Sequence, residues 1–367
     1  MHQEPSGARI MAYTTIDDPS AHHQTDLYTG TGSTLSITND GNSDLQPDLI
    51  WIKNRSDTDN HMIYDSSRGA TKRVIPNDTG AEATDTNGVT SFNSDGATMG
   101  DKGAINTSSE LFVAWQWKAN GGSTTTNDAS ATGVGSIDSV YQANTTAGFS
   151  IVTWSGTGSA GTIAHGLGAV PHLMIVKNRT TAENWGIYHH KNTAAPETDY
   201  KRLNTNDATA DASNVWNDTA PTSTVFSVGD GQIVGTSGDT FVGYLFTEKQ
   251  GYSKFGSFTG TNSTDGPFIY LGFKPAFMMF GSSSTATSWG MFDNKRDTFN
   301  VVQAPLYSNV NNAGRDPADT PVGDFLSNGF KKRVGGSHWN ASSGEYLYMA
   351  FAESPFVTSG GIPCTAR

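Results

Sequence analysis

The feature that most constrains this chain is a repeat within it. Three segments share one register: Pro47-Asp48-Leu49-Ile50-Trp51-Ile52-Lys53-Asn54-Arg55, Pro171-His172-Leu173-Met174-Ile175-Val176-Lys177-Asn178-Arg179 and Pro275-Ala276-Phe277-Met278-Met279-Phe280. In each, an aromatic-rich run begins 14 residues after the proline: His61-Met62-Ile63-Tyr64, Trp185-Gly186-Ile187-Tyr188 and Trp289-Gly290-Met291-Phe292. One offset kept three times points to one ancestral unit, so the chain should fold as three copies of a module.

Further landmarks follow in order. Lys72-Arg73-Val74 ending in Asn77-Asp78 reads as the counterpart of Lys201-Arg202-Leu203 ending in Asn206-Asp207. Ser91–Gly96, Val225–Gly229 and Phe325–Gly329 form the next shared step. Each copy closes on an alternating run: Leu111–Trp117, Phe241–Phe246 and Tyr346–Phe351.

These runs are short, rich in aromatic and β-branched residues, and bounded by Gly, Asn and Pro, which marks them as strands. With 41 Gly among 367 residues and no sustained helical pattern, the expected fold is all-β: three tandem antiparallel β-sandwich modules, jelly-roll or lectin-like. The 18 Phe, 12 Tyr and 8 Trp carry too much buriable area for a disordered chain. The expected boundaries are 1–11 extension, 12–119 module 1, 120–148 Gly/Ser/Thr/Asn-rich linker, 149–249 module 2, 251–357 module 3 and 358–367 tail. The short second boundary leads modules 2 and 3 to pack together, and three copies permit a pseudo-threefold arrangement. Tyr64, Tyr188 and Phe292 share a register and are expected inside their modules.

The balance of 23 basic against 35 acidic residues, a net charge of −12, opposes binding to a phosphate backbone, so no nucleic-acid partner is expected. The single Cys364 leaves no intramolecular disulfide. No apolar run is long enough for a membrane helix, and Met1-His2-Gln3-Glu4 does not resemble a signal peptide, so no membrane insertion is expected and synthesis is expected in a reducing cytosol. Met11 offers a second start.

Candidate chemistry is sparse. Gly156-Thr157-Gly158-Ser159-Ala160-Gly161 matches a dinucleotide-binding fingerprint, but the following residues cannot sustain the helix that such a motif opens, so a hairpin turn is expected. Neighbours on a strand face opposite ways, so His22-His23 and His189-His190 are poor metal pairs. Acidic loops at Asp57-Thr58-Asp59-Asn60 and Asn93-Ser94-Asp95-Gly96 make calcium the one cofactor left open, with no metal site assigned. No carboxylate pair or serine elbow stands out, so no catalytic residue is expected and a glycan-processing enzyme ranks last. Specificity is expected in polar loops: Asn54, Asp57, Asp59 and Asn60 in one, and Asn309, Asn311, Asn312, Arg315 and Asp316 in another.

The stretches Tyr13–Pro19, Asp48–Arg55, Gly166-Leu167-Gly168, Trp216–Ser223, Gly251–Gly256 and Met349–Glu353 resemble repeat-containing, tail-fibre-like virion proteins of marine and cyanobacterial tailed phages. The resemblance covers Met11 to about Val357. It implies a lectin-like sandwich, a place on the virion surface, and other virion proteins, host surface glycans or proteins, and further copies of the chain as partners. It carries no catalytic residue. The expected role is host-surface adhesion, with capsid decoration or cementing as the alternative.

Overall fold

The computed structural model describes residues 12–314, 321–336 and 338–365; the expected extension at 1–11 and the end of the expected tail lie outside them. Among the described residues regular structure is nearly all strand, and the helices at Gly103–Asn106, Ala129–Thr132 and Ser213–Trp216 are single turns. Every pairing between named strands is antiparallel.

Each module pairs four long strands in one order. The first strand (His23–Thr29, Phe149–Ser155, Ser253–Thr259) lies beside the closing strand (Leu111–Trp117, Thr240–Phe246, Glu345–Pro355). The closing strand lies beside the proline strand (Leu49–Asn54, Leu173–Asn178, Phe273–Ser282), whose hairpin partner is Met62–Asp65, Gly186–His189 or Gly290–Asp293. Pro47 and Pro171 precede their strands. Pro275 lies within the longer third copy, at a register shift, where a bulge tolerates its missing donor.

Burial on both sides of the proline strands follows from two kinds of core. Alternate residues face outward onto a small second sheet, forming one private core per sandwich: Ile50, Ile52 and Tyr64 in module 1, Met174, Val176 and Tyr188 in module 2, Met278, Phe280 and Phe292 in module 3. The expected burial of Tyr64, Tyr188 and Phe292 is therefore found, with each ring at most 3% exposed. The opposite faces meet in a single cluster of thirty buried side chains drawn in near-equal shares from all three copies. Trp51, Ile175 and Met279 hold equivalent places there, opposite Trp115, Tyr244 and Met349. The chain is a covalent, pseudo-threefold trimer of sandwiches around one shared core.

Two expectations about the repeat need correction. Ile63 pairs with Val74, Ile187 with Lys201 and Met291 with Leu306, so the counterparts of Asn77 are Asn204 and Asn309, not Asn206. The side-chain oxygens of these three Asn accept the backbone N–H of His61, Trp185 and Trp289. A slip of two residues keeps every side chain on its face, which is why the sequence did not betray it. Likewise Val225–Val228 matches the second strand of the outer hairpins, Ala97–Met99 and Gly329–Lys332, rather than the first.

The stretch 120–148, expected as linker, is built into module 2. Thr125–Asn127 and Ser139–Asn144 extend its sheet beyond Phe149–Ser155, and Asp48 accepts the backbone N–H groups of Ala119, Gly121 and Gly122. Its Gly and Asn content serves turns, with Gly121, Gly122, Gly133 and Gly135 all at positive φ.

The fingerprint glycines have a structural cause that the repeat exposes. Gly30, Gly156 and Gly260 follow the three first strands, and a Cβ there would stand 2.1, 2.2 and 2.1 Å from the carbonyls of Thr107, Thr236 and Ala341. Only glycine lets the backbones approach that closely. Two residues on, Gly32, Gly158 and Asn262 all take positive φ, and the Gly156–Gly161 stretch opens onto a strand at Gly161–Ala164 rather than a helix.

Candidate functional site

The three module seams are where sequence-distant side chains converge, and they obey the threefold order. At the end of the assembly where the proline strands finish, each seam carries the same backbone bond. Glu82 N–H donates to Arg179 O (2.9 Å), Thr209 N–H to Ser283 O (3.0 Å) and Gly314 N–H to Arg55 O (2.9 Å). Beneath these, a ring N–H reaches a carbonyl of the next module. Trp185 Nε1 donates to Ile75 O (2.9 Å), Trp289 Nε1 to Arg202 O (3.0 Å) and His61 Nε2 to Tyr307 O (2.9 Å). His61 can play the tryptophan's part because Trp51 Nε1 donates to its Nδ1 at 2.9 Å, which fixes the proton on Nε2.

The structure brings the two expected loops together across the seam between modules 3 and 1. Asn311 Nδ2 donates to Thr58 O at 2.9 Å, beside the Gly314 bond to Arg55. Several of their residues are structural. Asn54 is fully buried and its Oδ1 accepts the N–H groups of Ser56 and Asp57. Asp59 accepts Asn54 Nδ2, Asn60 accepts Asn77 Nδ2, and Asp57 accepts the Thr58 N–H. These acidic oxygens are turned to the loop's own donors rather than toward a common ion. Asn311 and Asn312 are exposed; Arg315 and Asp316 lie outside the described residues.

The paired histidines are likewise spent on backbone. His189 Nε2 donates to Tyr348 O (3.1 Å), His190 Nε2 to Phe255 O (2.8 Å) and His23 Nδ1 to Gln116 O (2.9 Å). Burial pushes His23 and His189 down to about 3, so both are neutral. Among the described residues no group of three His, Cys, Asp or Glu is arranged to hold a metal ion.

At the opposite end, Asp48, His172 and Ala276 are equivalent, as are Ser66, His190 and Asn294, each of the latter donating its N–H to the carbonyl of the former. Here the seams differ. Between modules 1 and 2 the strap Ala119–Gly122 bridges the seam, donating backbone N–H groups to both oxygens of Asp48 and to Gln142 Oε1. Between modules 3 and 1 a cleft of about 210 Å³ is lined by Gln24, Asp40, Lys295 and Glu353 among others. Both Glu353 oxygens are taken, by Lys274 Nζ and Asn294 Nδ2, each at 2.7 Å. Between modules 2 and 3 a cleft of about 490 Å³ is lined by Tyr13, His172, Glu248, Lys254, Tyr270 and Gly272 among others.

In that cleft Tyr13 donates to Gly272 O at 2.9 Å, and its hydroxyl lies 3.2 Å from that of Tyr270. The Lys254 ammonium donates to Tyr270 O at 2.9 Å and sits 5.3 Å from the Tyr270 ring centre. His172 Nδ1 accepts the Glu248 N–H at 3.1 Å, which leaves the proton on Nε2. Burial first, then His190, holds the His172 pKa below its usual value, so the ring is neutral near pH 7. Glu248 Oε1 accepts the Phe255 N–H at 3.0 Å. None of these residues is among the expected binding residues. The available signal was Phe268-Ile269-Tyr270, a short strand with its two aromatic rings exposed around a buried Ile, against the usual apolar-in pattern.

A family described as a domain of unknown function, DUF7483, matches residues 18–355. The chain belongs to this family. The matched span runs from just before the first strand of module 1 to the end of the closing strand of module 3, so the DUF7483 unit is the three-module assembly around its shared core, not one sandwich. No curated protein matches the chain.

Proposed function

We propose that this chain is a non-enzymatic structural protein on the surface of a tailed-phage virion, tail-fibre-like, that holds host-surface molecules through groups presented on a rigid frame. The observation that carries the reading is the pseudo-threefold body itself. One shared core and three stitched seams fix the loops and clefts at its ends, so binding groups are held in place before a ligand arrives. The sequence resemblance to virion proteins supports the setting. The test is adsorption. Purified protein should adhere to host cells and compete with phage for attachment; protein that ignores host cells and leaves adsorption unchanged would refute adhesion.

A second reading is favoured by the same symmetry: a body with three like seams suits a threefold or quasi-threefold position on a capsid, where it would cement neighbouring subunits. Particle imaging separates the two by placing the density on the tail or the head.

A further inference from the structure

We propose that the cleft between modules 2 and 3 is a carbohydrate site for an uncharged hexopyranose. This rests on the adhesion reading above and names the ligand class for one seam of it. The three equivalent seams act as internal controls for one another. In the first, a strap of the chain bridges the seam and donates to both oxygens of Asp48. In the second, Lys274 and Asn294 consume both oxygens of Glu353. In the third, Glu248, the counterpart of Glu353, spends one oxygen on the Phe255 N–H, and His172 keeps its Nε2–H while Nδ1 is occupied. Of the three, this seam alone combines an acceptor and a donor left over with an aromatic wall.

That combination is what a pyranose requires. Vicinal hydroxyls each donate and accept, which a carboxylate beside a neutral imidazole N–H answers, while the C–H face of the ring packs on an aromatic surface. Tyr270 is 48% exposed, and its hydroxyl is braced by Tyr13. Gly272 keeps the place open, since a Cβ there would stand 2.6 Å from the Tyr13 hydroxyl. An anionic sugar is disfavoured because the Glu248 charge lines the cleft, Lys254 is already engaged with Tyr270, and the chain carries −12 overall.

The test is titration of the full chain with methyl glucoside, methyl galactoside, methyl mannoside and glucuronic acid, read by ligand-observed NMR. At least one neutral pyranoside should bind in the millimolar range, with glucuronic acid weaker. Tyr270→Ala and Glu248→Gln should each weaken binding about tenfold or more, while Tyr270→Phe retains most of it. Far-UV circular dichroism checks that each variant is folded. No binding by any neutral pyranoside, or binding that the Ala and Gln variants leave unchanged, would overturn the site. Running the variants in the host-cell assay separates the two claims. Adhesion that survives Tyr270→Ala overturns this cleft as the adhesive site but not the adhesion reading, whereas pyranoside binding without adhesion does the reverse.

Discussion

Replacing Trp185 by alanine tests whether the three sandwiches are one cooperative unit. Its indole is fully buried in the shared core, and its Nε1–H satisfies Ile75 O of the neighbouring module at 2.9 Å. Truncating a buried tryptophan costs about 3–5 kcal/mol, and the Ile75 carbonyl, which keeps the Asp78 N–H at 3.3 Å, loses one of its two hydrogen bonds, worth about 0.5–1.5 more. The expected loss is about 4–6 kcal/mol, a large fraction of the stability of an ordinary domain. The assay is denaturant unfolding followed by tryptophan fluorescence and by far-UV circular dichroism. Because Trp51, Trp115, Trp117 and Trp289 share that core, both signals should move together to a lower midpoint in a single transition with an unchanged slope. Two transitions, with one keeping the wild-type midpoint, would refute the shared-core argument and make the modules independent sandwiches.

Three further outcomes follow from single sites. Gly156→Ala should cost at least about 2 kcal/mol in the same unfolding assay, because its Cβ would stand 2.2 Å from the Thr236 carbonyl; an unchanged midpoint refutes the close approach. Lys332 is fully buried against Phe280, Phe330 and Trp339, its Nζ without a hydrogen-bond partner among the described residues, so Lys332→Met should raise stability by about 1–3 kcal/mol, and a lower midpoint would refute this. Burial depresses His23 and His189 to about 3 and His165 to about 4, so the unfolded chain binds more protons than the folded one between the ordinary histidine value of 6.5 and those values. Their contribution is complete above pH 6.5 and is lost on acidification. Asp26, raised to about 7 by burial and then Asp40, and Asp48, raised by burial, pull the other way, but His61, held well below its ordinary value by burial, adds to the three histidines. Unfolding midpoints should therefore fall from pH 6.5 toward 4, and a flat or rising profile would count against neutral buried imidazoles.

The repeat was legible because its landmarks are core residues with fixed spacing: Pro47 to His61, Pro171 to Trp185 and Pro275 to Trp289 lie on one hairpin in each copy. The near-continuous apolar run of each proline strand, as in Leu49–Ile52 and Leu173–Val176, is the mark of burial on both faces. It could not say that the second face belongs to the other two modules, because Trp51 buried against its own sheet and Trp51 buried against a neighbour leave the same pattern. Where loops drift, the match slipped by two residues, as with Asn206 for Asn204, since a shift of two preserves the face. The polar loops around Asn54 and Asn309 were read as binding loops from composition, yet their amides hold backbone at a seam. The cleft residues were invisible because Tyr13, His172, Glu248 and Tyr270 lie on four separate segments and meet only when module 3 closes against module 2.

Fusing the three copies has a consequence that a homotrimer could not share. In a closed trimer of identical chains the three seams are the same by symmetry, so any change that seals one seals all. Here the top of each seam keeps the common stitch, from Glu82 to Arg179, Thr209 to Ser283 and Gly314 to Arg55, because those bonds hold the shared core closed. The bottom has diverged: the strap donates to both oxygens of Asp48, the Lys274 and Asn294 pair saturates Glu353, and Glu248 and His172 remain partly unspent. Stability and specificity are thereby assigned to opposite ends of the same three seams. Substitutions at the bottom of the 2/3 seam should alter binding with little loss of folding, while substitutions at the top should do the opposite.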